Sequence, residues 1–199
     1  MSVLQHARLA LLPLLLLACN SDRAATVRFE LTDAPPDLDQ IAEVHVSLDR
    51  VEAHVAGDDA ELGDGGSFSN DDDDDERGGW RTITPEAGTF DLLTLQNDVR
   101  ARLGEIELPD GKITQIRLFI DPDADNTIVL RDGATCALDL TQVPPTGVKI
   151  NHPFKALQAD DGEIIDVVLD FDVKESLDQT AACAFALKPV IKIKRVERH

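Results

Sequence analysis

The chain is poor in positive charge, aromatic rings and cysteine. Its 199 residues hold 19 Lys and Arg against 38 Asp and Glu, no tyrosine, one tryptophan and three cysteines. A formal charge of −19 excludes a general nucleic-acid binder, because phosphate affinity comes from clustered Lys and Arg. The same shortage argues against docking on anionic lipid through a basic face. No apolar run is long enough to cross a bilayer as a helix. The longest, Leu9 to Ala18, is interrupted by Pro13 and spans about 15 Å as a helix, half of a ~30 Å apolar core. Catalytic signatures are also missing: no G-x-S-x-G elbow, no H-E-x-x-H, no phosphate loop and no G-x-G-x-x-G fingerprint. The sequence therefore reads as a non-catalytic interaction or structural module, with a calcium-dependent binding module and then an unrecognised enzyme as the alternatives. A hydrophobic content of 43% is nonetheless too high for a disordered chain.

What is present begins with an address. A weakly basic start ending at Arg8, followed by the Leu9–Ala18 run, has the layout of an export signal over residues 1–18. Leu16-Leu17-Ala18-Cys19 resembles the lipobox of bacterial lipoproteins. That resemblance implies cleavage after Ala18, a diacylglyceryl thioether on Cys19 and acylation of the new amino terminus. Several acyl chains, at ~0.8 kcal/mol per buried methylene, hold a protein stably on a membrane. The alternative is an ordinary secretory signal with an incidental cysteine. Asn20, where an aspartate marks inner-membrane retention, resembles the outer-membrane default. The expected partner is thus the membrane itself through the lipid, with residues 19–26 as a short tether; no protein or glycan partner can be named from the sequence.

Export bears on the two remaining cysteines. Cys136 shares a strand parity with Leu138 and Leu140, and Cys183 with Phe185 and Leu187. In an oxidising compartment an even pair of this kind forms a disulfide; the alternative is two buried thiols.

Period-two alternation runs through residues 27–197 and predicts a single all-β domain, an antiparallel two-sheet β-sandwich of the immunoglobulin or transthyretin kind. Val27, Phe29 and Leu31 form one apolar row, Val44, Val46 and Leu48 another. Val51, Ala53 and Val55 continue the latter with shifted parity, predicting a bulge near Asp49-Arg50. Further strands are expected at 80–84, 90–95, 113–120, 127–131, 135–140, 147–151, 153–158, 163–173 and 184–196, and one modest helix at Asn97–Leu103. Between Gly57 and Gly79 lie ten acids and one base, Arg77, the composition of a solvated acidic loop.

Six short motifs then carry a family resemblance. They are Leu31-Thr32-Asp33-Ala34-Pro35; Phe90-Asp91-Leu92-Leu93; Gln115-Ile116-Arg117-Leu118 after Leu108-Pro109-Asp110-Gly111; Gly147-Val148-Lys149-Ile150; Leu169-Asp170-Phe171-Asp172 with Ser176; and Leu187-Lys188-Pro189-Val190-Ile191. In this order the chain resembles domain of unknown function family 4382 of bacterial and archaeal lipoproteins. Ile113, where an aromatic is expected, and the long acidic insertion depart from it. The resemblance implies an exported β-sandwich and no activity.

Four groups of residues are candidates for chemistry. Asp121, Asp123 and Asp125, with Asp132 as twelfth position, have the alternation of an oxygen-rich Ca²⁺ loop, although Asn126 replaces the turn glycine. The competing reading is a polar turn between two strands. His45 and His54 lie on polar parities and would hold a transition metal if the bend brought them together. Asp166, Asp170 and Asp172 line one parity and either pair with Lys188, Lys192 and Lys194 or form a ligand site. Trp80 reads as core or edge packing, with sugar stacking as its other use; Asp33 and Asp91 read as turn caps.

Overall fold

In a computed structural model of the chain, the described residues are 24–33, 38–56, 79–85, 88–108, 111–150 and 155–199. The leader, Cys19 and the acidic run Asp71–Asp75 lie outside them. Fifteen strands follow in order: β1 (Ala25–Thr32), β2 (Ile41–Ala56), β3 (Gly79–Thr82), β4 (Thr84–Pro85), β5 (Gly88–Asp91), β6 (Ala101–Leu108), β7 (Lys112–Ile120), β8 (Thr127–Leu130), β9 (Thr135–Asp139), β10 (Val148–Ile150), β11 (Leu157–Gln158), β12 (Ile164–Phe171), β13 (Leu177–Ala181), β14 (Ala184–Leu187) and β15 (Ile191–Arg198).

They form two sheets, as the alternation predicts. The smaller has the order β15-β12-β1-β6-β4, the larger β10-β7-β2-β8-β9-β14-β13, with β3 and β5 on β2 and β11 on β7. Side chains at alternate positions, among them Val27, Phe29 and Leu31 of the small sheet and Ile116, Leu118 and Val46 of the large one, belong to one buried core. The pairings are antiparallel except β1 with β12 and β14 with β9.

Strand β2 organises the large sheet. Its second half pairs with β7 and its first with β8, and the ladder slips between Leu48 and Arg50, where the parity change predicts a bulge. Residues 121–126 join β7 to β8 and close on Ser47, between the two ladders that those strands make with β2. Asp121 donates its backbone N–H to the Ser47 carbonyl, and the buried Asn126 accepts from the Ser47 N–H at 2.9 Å.

The structure corrects several local expectations. No helix forms over Asn97–Leu103. Asn97 and Asp98 take left-handed φ of 58° and 66°, a turn that suits short polar side chains, and β6 follows. The strand expected over 90–95 ends at Asp91, whose carboxylate caps a 3₁₀ turn at Leu92–Leu95. The strand expected over 163–173 gives way to a four-residue helix, α1 (Val173–Ser176), capped by Asp172. The run 184–196 is two strands in different sheets, interrupted at Pro189, which has no N–H to continue a ladder.

Candidate functional site

Cys136 and Cys183 form a disulfide that closes 47 residues. The bond ties β9, which pairs in parallel with β14, to the turn that starts β14.

The four acids of the calcium reading separate. Asp121, Asp123 and Asp125 stay in the 121–126 connection, where Asp121 Oδ1 accepts from the Asp123 N–H and Asn126 Nδ2 donates to the Asp121 and Ala124 carbonyls. Asp132 sits beyond β8, accepting from the Ala134 N–H in the β8–β9 hairpin, about 13 Å of strand away. The twelve-position loop is not formed. Asn126 stands where a calcium loop wants glycine because it is needed to hold Ser47. His45 and His54 lie nine residues apart on β2, roughly 30 Å, and do not converge.

The acidic row of β12 is paired instead. Lys192 reaches Asp170 at 3.3 Å and Asp172 at 3.2 Å, and Lys194 reaches Asp170 at 3.8 Å. Asp170 is 3% exposed, so the two lysines offset a buried charge. The Asp172 carboxylate, first, holds the Lys192 ammonium above its ordinary range. Lys188 is not in this ladder; its N–H donates to the Ser176 carbonyl. The other motif residues are also structural. Asp91 accepts from Val44 and Leu93, and the fully buried Asp33 accepts from the Val173 N–H, 140 residues on, a long-range staple rather than a local cap. Ser176 donates to the Asp172 carbonyl and accepts from the Val190 N–H.

Among the described residues, one group of metal-capable side chains converges: Asp166, Glu197 and His199, with ligand atoms within 4.8 Å of one another. Asp166 and Glu197 are cross-strand partners on β12 and β15. Arginines already occupy this group. Arg100 donates twice to Glu197 at 2.9 and 3.0 Å, Arg195 lies 2.8 Å from Glu197, and Arg28 lies 3.9 Å from Asp166. Arg100 holds the Glu197 carboxyl below its usual range. A divalent cation would enter against three guanidinium groups, so the cluster is an ion-pair network.

The outward face of the large sheet concentrates different chemistry. Because Val51, Ala53 and Val55 point into the core, Arg50, Glu52 and His54 point out; Arg117 and Phe119 do the same on β7. Register aligns them in rows: Arg50 with Phe119; Thr82, Glu52, Arg117 and Lys149; Trp80, His54 and Gln115. The Arg50 guanidinium stacks 3.7 Å from the Phe119 ring, and Gly147 covers that ring so closely that a Cβ would lie 2.8 Å from it. At φ +83°, Gly147 has a backbone that side chains disfavour as well. A cavity of about 250 Å³ opens beside this stack, lined by Arg50, Phe119, Pro122, Leu140, Val143 and Pro144 among others.

The second stack lies beside it. The Arg117 guanidinium sits 3.7 Å over the Trp80 ring, and His54 meets that ring edge-on at 5.2 Å. Trp80 lies on the short strand β3 with 37% of its surface exposed, so it is edge packing with part of the indole open to solvent. Burial, then the Arg117 charge, hold His54 below its ordinary pKa of 6.5. The folded chain therefore binds this proton less readily than the unfolded chain, and stability rises as pH climbs toward 6.5 and is flat above it. The difference in melting temperature between the parent and His54→Gln is expected to change with pH below about 6.5 and be constant above pH 7. A difference independent of pH would contradict the placement of His54.

Sequence reasoning named Trp80 and His54 singly and missed the face they share. The alternating parity of β2 and β7 marks Arg50, His54, Arg117 and Phe119 as outward, but no local pattern tells which strands adjoin. Fold and surface together define an all-β two-sheet sandwich whose larger sheet carries a cationic and aromatic outer face. The chain belongs to the family described as Domain of unknown function (DUF4382), matched over residues 24–189. No curated protein and no solved structure matches it.

Proposed function

We propose that this protein is a non-catalytic lipoprotein of the cell envelope, a β-sandwich interaction module held on the membrane, in the outer-membrane class, through lipid on Cys19. The observation that carries the reading is the Leu16-Leu17-Ala18-Cys19 motif two strand-lengths or less before β1: from Cys19 to Ala25 the chain spans at most about 22 Å, which keeps the sandwich close to the bilayer. The family's motif acids support a non-catalytic body. Asp33, Asp91, Asp170 and Asp172 are engaged in caps, staples and ion pairs.

Metabolic labelling with a fatty acid tests the reading. Label enters the exported parent chain and is absent from Cys19→Ser. Equal labelling of the two, or none in the parent, would overturn it.

A further inference from the structure

Among the described residues, a pair of positive side chains stands uncompensated on a chain with twice as many acids as bases. Arg117 and Lys149 are cross-strand partners on the β7–β10 ladder, both on the outward face, and the Arg117 guanidinium leans across β2 onto Trp80. Among the described residues neither has a carboxylate within salt-bridge reach. Glu52, cross-strand from Arg117 on its other side, bonds Arg50 Nε at 2.8 Å instead. Arg117 Nε is buried and makes no hydrogen bond. Beside this pair lies the exposed part of Trp80, with His54 and Gln115 completing its row.

We propose that this face binds an anionic sugar, a pyranose packed on the open part of Trp80 with its carboxylate between Arg117 and Lys149. Each part of the ligand answers a part of the surface. The carboxylate gives the two cations a shared counter-charge and the guanidinium an acceptor. The apolar C–H face of the ring covers indole surface that water covers now, and His54 and Gln115 offer polar groups to its hydroxyls. A sheet face with an aromatic on a short outer strand suits a sugar chain, which lies along a surface. The proposal deepens the reading of an interaction module by naming its partner, and it does not depend on the lipid.

Trp80 reports on the site directly, because it is the only tryptophan and the chain has no tyrosine. Titration of the full chain in detergent with hexagalacturonate is expected to change Trp80 emission saturably. Lys149→Gln, on an exposed position of a three-residue edge strand, weakens binding by about tenfold or more, the loss of one charge-assisted hydrogen bond. Arg117→Lys, which keeps the charge and loses the planar stack, weakens it as well. Maltohexaose and polyglutamate leave the emission unchanged. No response to hexagalacturonate, or one undiminished in Lys149→Gln, would overturn the site. An equal response to polyglutamate would overturn the sugar. Either failure leaves the labelling of Cys19 unaffected, so the two readings fall separately.

Discussion

Removing the Cys136–Cys183 bond, by reduction or in the paired Ser variant, is expected to lower unfolding free energy by about 4 kcal/mol. That is the chain-entropy value for a 47-residue loop. Against a typical total of about 5–15 kcal/mol the loss is large. It also has a location. β14 meets β9 through a short parallel pairing, and β13 hangs on β14 at the sheet's end, so the bond holds the margin farthest from β2. Denaturant unfolding with and without reductant measures the effect, and hydrogen exchange is expected to rise first in β13 and β14. A change under about 1 kcal/mol would show that the pairing there is secure without the crosslink.

The second large effect lies in the small sheet. Phe29 and Phe171 are both fully buried, Phe29 flanked by Gly104 on β6 and Val167 on β12. Phe29→Ala or Phe171→Ala is expected to cost about 3–5 kcal/mol, the transfer term plus the cavity left in a packed interior. Such a loss would unfold much of the population when combined with reduction of the disulfide. Chemical denaturation settles it; a cost near that of an exposed Phe→Ala change would contradict a core shared by the two sheets.

Much of this architecture is legible in the sequence because strand parity is a local property. Val27, Phe29 and Leu31 announce their inward face, the shift from Leu48 to Val51 announces the bulge, and Cys136 sits on a buried parity, whereas its partner Cys183 is exposed in the turn before β14. What is not legible is set by distant chain. Nothing near Val27 indicates that it lies beside Ile165 in a parallel pair, and nothing near Asp33 indicates that its carboxylate serves Val173. Residues 97–103 have helix-like spacing, yet Arg102 and Ala101 pair with β1, and that ladder outweighs a short, marginal helix. The outward face is hidden for the same reason. Trp80, Arg117 and Lys149 are far apart in sequence and come onto one face only when β3, β2, β7 and β10 assemble in register.

The twelve-position spacing of the calcium reading breaks up on a related point. Alternating acids at 121, 123 and 125 match a ligand pattern, but the residue that gives the connection its shape is Asn126, which accepts from the Ser47 N–H between the β7 and β8 ladders. A sequence pattern reports which atoms are available; the ladder decides where they point.

Everything proposed about location rests on a single sulfur. Intact-mass analysis of the chain extracted from membranes is predicted to show a protein beginning at Cys19 and heavier than its residues by a diacylglyceryl group and an acyl chain. A free thiol at Cys19, or a chain still carrying residues 1–18, would contradict the account.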